Sequence, residues 1–203
     1  MKKEMKLRIT GILLVALVFG VASFLAACYP GDPLTTTDTD VVTTLFRQGA
    51  DFSTKMTYAQ PSTVIKIKGD GTVDITPPAN NATIISRINA NMQALGYTVA
   101  DSTTADVIVA AAVTETEWVG GGCYPGYWGW YGYPGWGWCY PYAYTYTTGT
   151  LLIVMWDRNQ ASNNEALWVA AMNGLIQGTV SSTRINNAIN QAFAQSPYLG
   201  DGK

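Results

Sequence analysis

GTLLIVMWDRNQASNNEALWVAAM, residues 149–172, is the stretch whose reading decides the fold. After Thr150, every residue from Leu151 to Trp156 is apolar. A strand with no wet face belongs in the middle of a sheet. The polar run Asp157–Asn164 reads as a turn. Glu165–Met172 then returns as the antiparallel partner, rich in apolar and aromatic residues.

Outward from this hairpin the pattern holds. VIVAAAV, Val107–Val113, follows Ala105-Asp106 and predicts a second buried strand running toward the wetter Glu115 and Glu117. Val41–Phe46 is β-branched and apolar and suits a strand; a short one is expected over Lys55–Ala59. Val64–Lys68 and Thr72–Ile75 flank Gly69-Asp70-Gly71, a hairpin whose turn glycines supply positive φ. Past Pro77-Pro78, Asn80 or Asn81 can cap a helix with Ile84, Ile85, Ile88, Met92 and Leu95 on one face, stopped at Gly96. Ser181 or Ser182 can cap a second, with Ile185, Ala188, Ile189, Ala192 and Phe193 on one face, stopped by Pro197. Both stripes are read as core packing. The expected fold class is α+β: two layers, a mixed and mostly antiparallel sheet with two amphipathic helices on one face, in a single domain over residues 40–198.

The amino terminus carries an address. MKKEMKLR is basic, and ITGILLVALVFGVASFLAA bears no charge. The run is long enough to span a bilayer at about 1.5 Å per residue. It ends in Leu25-Ala26-Ala27-Cys28, small residues before a cysteine. This resembles a bacterial lipoprotein signal over residues 1–27, with Cys28 lipidated, palmitate among its acyl chains, as the first mature residue. Several acyl chains on one cysteine anchor slowly releasing cargo to a membrane. Tyr29 stands where an Asp retains well-studied Gram-negative lipoproteins in the inner membrane, so the expected site is the outer membrane, facing the periplasm. Residues 28–39 read as a flexible tether, since Pro, Gly, Thr and Asp dominate and no apolar period appears. The leader holds four of the twelve basic residues and one of the fourteen acidic ones, so the net charge moves from −2 to about −5 on its removal. No Lys/Arg cluster exists, which leaves nucleic-acid binding without an electrostatic basis.

Cys123 and Cys139 remain after lipidation, an even pair in a chain that reads as exported, and a disulfide is expected between them. It would close about 17 residues, worth roughly 3 kcal/mol in the chain-entropy model. They bracket much of a Gly- and aromatic-rich loop expected over residues 120–146, which includes the near repeat of Tyr124-Pro125-Gly126-Tyr127-Trp128-Gly129-Trp130 in Tyr133-Pro134-Gly135-Trp136-Gly137-Trp138. Tyr124, Tyr127, Trp128, Trp130, Tyr131, Tyr133, Trp136, Trp138 and Tyr140 are the candidate binding residues. Such rings can stack on sugars, seat among lipid headgroups, dock a protein, or pack on the domain's own sheet as a lid.

Catalysis finds little support. The chain has no histidine, which removes Ser-His-Asp and Cys-His centres and His-ligated metals. Glu115 and Glu117 sit on one strand face about 6.7 Å apart, but any Glu-x-Glu strand has that spacing, and we read a solvated strand end. No calcium loop or phosphate-cradling loop is present, and no cofactor is expected.

Asp51-Phe52-Ser53 and Thr57-Tyr58-Ala59 within DVVTTLFRQGADFSTKMTYA (Asp40–Ala59), Ala105-Asp106-Val107, and Gly149-Thr150-Leu151 with Leu167-Trp168 in the late hairpin together resemble the domain-of-unknown-function family 4136 over about residues 40–198. The resemblance implies an exported lipoprotein with an aromatic loop before the late hairpin, and no established activity. The chain departs from it at Val169-Ala170, where members often have a basic residue and Gly, and at Val64–Ile75, which looks like an insertion. The expected role is a non-catalytic structural or protein-interaction module of the cell envelope, membrane-held through its lipid, with an envelope protein partner. The alternative is a module binding peptidoglycan or lipopolysaccharide sugars through the loop.

Overall fold

Two long apolar strands meet at the middle of the sheet, where the sequence pattern puts them. The computed structural model describes residues 41–68, 72–115, 118–124, 138–146, 149–160, 166–177 and 180–201, with 118–124 and 138–146 as backbone. The strands are β1 (Val42–Phe46), β2 (Thr57–Ala59), β3 (Ile65–Ile67), β4 (Val73–Asp74), β5 (Thr98–Val99), β6 (Val107–Thr114), β7 (Trp118–Tyr124), β8 (Trp138–Tyr146), β9 (Leu151–Asp157) and β10 (Trp168–Met172). The helices are α1 (Asn81–Ala94) and α2 (Ser182–Ala194).

β6 and β9 are antiparallel from Val107↔Asp157 to Val113↔Leu151. β10 and then β1 continue antiparallel on the β9 side. The far edge of β6 is shared by two parallel strands in tandem: β2 beside Val107 and Ile108, β3 beside Ala112 to Thr114. β5 runs parallel outside β2, and β4 antiparallel outside β3. The domain is therefore α+β, with a mixed and mostly antiparallel sheet. The Val64–Ile75 hairpin is joined to the sheet, since its strand β3 pairs with β6.

Alternation sorts each strand onto two faces. Val107, Val109, Ala111 and Val113 join Leu151, Ile153 and Met155 in one cluster with α1 and α2. Ile84, Ile88 and Met92 of α1 and Ile185, Ile189 and Ala192 of α2 are fully buried there. Each isoleucine or methionine among them contributes about 1.5–3 kcal/mol relative to an exposed one. Ile108, Ala110, Ala112, Leu152, Val154 and Trp156 form a second apolar cluster on the other face, to which neither helix contributes.

Caps and ties fix the rim. Ser181 Oγ accepts from Arg184 N–H at 3.2 Å, so Ser181 is the cap of α2. At α1, Asn80 occupies the cap position without a side-chain bond. Asn81 instead ties down the preceding segment, accepting from Val64 N–H at 2.7 Å and donating to the Ser62 carbonyl at 3.0 Å. Gly96, at φ +89°, turns the chain after α1. Trp168 Nε1 donates to Ser196 Oγ at 2.9 Å inside the core. Lys55 Nζ meets Asp157 Oδ2 at 2.8 Å with both side chains largely buried. Asp106 Oδ2 accepts from Met56 N–H at 3.0 Å, Thr57 N–H at 2.9 Å and Thr57 Oγ1 at 2.8 Å, stapling β2 to the start of β6.

Two glycines with the same backbone differ in surroundings. Gly149 (φ +75°) would place a Cβ 2.8 Å from the backbone of Ile176, whereas Gly49 (φ +78°) has nothing within 4 Å of that position. Gly49→Ala should cost about 1 kcal/mol, the left-handed penalty alone. Gly149→Ala should cost about 3 kcal/mol, because backbone must move as well. Urea midpoints at unchanged slope measure both, and equal losses would show that the approach to Ile176 is not tight.

Asp106 also sets an acid limit. Burial raises its pKa, but the hydrogen bonds from Thr57 and Met56 outweigh that and leave it below the usual carboxylate range. A depressed folded pKa stabilises above the unfolded value of about 4 and is lost as pH falls below it. The same direction holds for Asp51, Asp74 and Asp101. Asp106→Asn should therefore lower stability at pH 7 and flatten, without abolishing, the fall in urea midpoint between pH 5 and 3. An unchanged pH slope would remove Asp106 from the account.

Candidate functional site

Between the two central strands the chain makes a long excursion, and its neck is closed by backbone. Thr114 N–H donates to the Thr150 carbonyl at 3.0 Å, and Gly149 N–H donates to the Thr114 carbonyl at 2.7 Å. Thr150 N–H also donates to Thr114 Oγ1 at 3.1 Å. Gly149 is required here, since its carbonyl also accepts from Ile176 N–H at 2.7 Å in the crowded left-handed conformation already described.

The expected loop over residues 120–146 is, along much of its length, a second sheet of two strands: β7 and β8 pair antiparallel. Tyr, Trp and Thr favour pleated surfaces. WCYPYAYTY, Trp138–Tyr146, alternates an aromatic residue with Cys, Pro, Ala or Thr, a period-two signal legible in the sequence. The glycine run at 120–122 and Pro141 conceal it, because both residue types are poor in strands. The structure accommodates them: the register shifts between Gly120 and Gly122, so Pro141 and Tyr142 fall in an irregular stretch where a missing N–H costs no ladder bond.

Register assigns faces. Trp118↔Tyr146, Gly120↔Tyr144, Gly122↔Tyr140 and Tyr124↔Trp138 are alternate pairs and share one face; Val119↔Thr145 and Cys123↔Cys139 share the other. Six aromatic positions thus lie on one side, two of them opposite glycine. An aromatic residue across from a strand glycine compensates for the missing side chain. Of the sequence-predicted residues, Tyr124, Trp138 and Tyr140 come together on this face. Trp118, Tyr144 and Tyr146 join them and were missed by reading the segment as a loop. Tyr127, Trp128, Trp130, Tyr131, Tyr133 and Trp136 lie outside the described residues, as does Cys28. The two cysteines are directly opposite in register. Among the described residues no disulfide is found.

The carboxylates elsewhere serve local structure. Asp51 accepts from the hydroxyl of Ser53 at 2.6 Å and its N–H at 3.0 Å, and these two bonds hold its carboxyl below the ordinary range. Asp101 does the same with Thr103. Each pair is two residues apart, a side-chain-capped turn in which the hydroxyl is a donor rather than an activated nucleophile. These residues line shallow clefts of about 190 Å³ (Asp51, Ser53, Phe46, Tyr198) and about 310 Å³ (Asp101, Gln60, Val99). Glu115 is exposed and lies 3.8 Å from Lys66; Glu117 is outside the described residues. Among the described residues no helix is long and apolar enough to cross a membrane.

A family model, Domain of unknown function (DUF4136), matches residues 42–198. A DUF4136 family protein from Bacteroides thetaiotaomicron has a similar structure: TM-score 0.60, 24% identity, 80% of this chain and 98% of that one covered. A PelC dodecamer from Paraburkholderia phytofirmans gives a TM-score of 0.39 at 14% identity, over 78% of this chain and 98% of that one. Among curated proteins none matches.

Proposed function

This chain belongs to the DUF4136 family, and from that premise we propose that it is an envelope lipoprotein that works by contact, not catalysis. In this reading residues 1–27 are the export signal and Cys28 carries the lipid. The anchor holds the domain to the outer membrane, facing the periplasm, and the aromatic face of the β7–β8 hairpin is the contact surface. The observation that carries it is the register, which gathers Trp118, Tyr124, Trp138, Tyr140, Tyr144 and Tyr146 on one side. Trp and Tyr supply large contact area at low entropic cost and dominate protein hot spots, so an envelope protein is the partner favoured. A second reading, glycan stacking, draws on Gly120 and Gly122: a tyrosine opposite glycine has no cross-strand side chain beside it. Cys123 and Cys139 form a disulfide in the exported chain. Directly opposite residues hold their Cβ atoms about 4.5–5.5 Å apart, which small adjustments bring within bridging range. Thiol–disulfide exchange with an oxidised dithiol carrier of the envelope supplies the oxidation, the carrier leaving as its dithiol.

Crosslinking in native envelopes should capture a protein partner, and combined Trp118→Ala, Tyr140→Ala and Tyr144→Ala should reduce capture at least tenfold, about 1.4 kcal/mol, at an unchanged melting temperature. Saturable binding to isolated peptidoglycan sacculi, lost in the same variant, would transfer the site to glycan. No loss of either would refute the hairpin as contact surface.

Mass spectrometry of the exported protein without reductant should find Cys28 acylated and the peptides of Cys123 and Cys139 linked. An unacylated amino terminus would sink the anchor; two alkylated thiols would sink the bridge.

A further inference from the structure

Among the described residues the long open edge of the main sheet is β1, paired only with β10. The bonds at its ends fix the alternation along it. Arg47 N–H donates to the Leu167 carbonyl at 2.9 Å and Asn173 N–H to the Val41 carbonyl at 3.1 Å. In an antiparallel ladder the bonded residues alternate, so the odd-numbered positions bond β10. Val42, Thr44 and Phe46 consequently turn their N–H and C=O groups out of the sheet. Sheet proteins usually guard such an edge with Lys, Pro, a bulge or extreme brevity. β4 and β5, outermost on the other side, are two residues each. β1 is five residues, VTTLF, with no charge, no proline and no bulge, and Val41 just before it and Phe46 at its end are 56% and 53% exposed.

We propose that this edge pairs with β1 of a second copy of the chain. The strand is complementary to itself about Thr44. With the two-fold axis there, Thr44 faces the second copy's Thr44, and Val42 faces the second copy's Phe46. All three outward positions become hydrogen-bonded pairs, each exchanging two backbone bonds. β-Branched residues opposite aromatic ones, and threonine opposite threonine, are favourable cross-strand pairs. No like charges meet within the strand. Because the pairing uses the same edge on both copies, it closes as a dimer and, among the described residues of the main sheet, leaves the two-residue edges outside. A continuous sheet across two subunits results.

Sedimentation of the full-length chain in non-ionic detergent tests this. The wild type should sediment as a dimer at micromolar concentration. Thr44→Lys and Thr44→Glu each set like charges across the axis and should weaken self-association at least tenfold. Mixing the two differently tagged variants should restore a dimer carrying both tags. A wild-type monomer at every concentration overturns the pairing and leaves the edge to a strand of another protein. Dimers of either single variant as tight as the wild type, or no restoration on mixing, also overturn it. Should a variant fail to fold, the wild-type measurement still decides.

Discussion

The structure depends on one constraint: β6 and β9 are apolar on both faces, so burying one side leaves the other still to be buried. Leu151 to Trp156 and Val107 to Val113 are at most 6% exposed whichever way they point. The helices satisfy one face. They lie together across it, joined by Asn91 Nδ2 donating to Asn190 Oδ1 at 3.0 Å, a polar tie that fixes their mutual register where apolar contact alone is tolerant of sliding. The opposite face is equally buried, with Val73, Ala100 and Ala166 packed against it.

Charge is used sparingly and locally. Lys55–Asp157 joins the chain ahead of β2 to the end of β9 across 102 positions of sequence. Removing one member would strand the other, which is the costly case for a buried ion pair. Asp51 and Asp101, by contrast, cap turns with the serine or threonine two residues on.

Where one physical signal dominated, the sequence was legible. Continuous apolar runs identified β6, β9 and β10, and 3.6-residue periodicity identified α1 and α2, with Ile84, Ile88 and Met92 on the buried side. Of the two serines and the two asparagines offered as caps, Ser181 and Asn80 hold the cap positions, Ser181 with a side-chain bond and Asn80 without one. The amide of Asn81 is used by Ser62 and Val64, a tertiary demand invisible in local sequence. The tandem parallel pairing of β2 and β3 on β6 was equally out of reach, since three-residue strands carry almost no periodicity. At the candidate site, composition revealed the aromatic residues but hid their order. Glycines and a proline read as loop, although the tyrosine opposite each of Gly120 and Gly122 makes a strand tolerable there.

The neck at Thr114, Gly149 and Thr150 separates two kinds of evolutionary freedom. The β6–β9 ladder is held in register by its own pairing, and three hydrogen bonds close the excursion at its base. Lengthening a closed excursion is thermodynamically gentle, about 0.6 kcal/mol for each doubling of a flexible loop. The alignment of Val107–Val113 against Leu151–Asp157 is thus set below the neck, by the ladder's own pairs and the three bonds at its base.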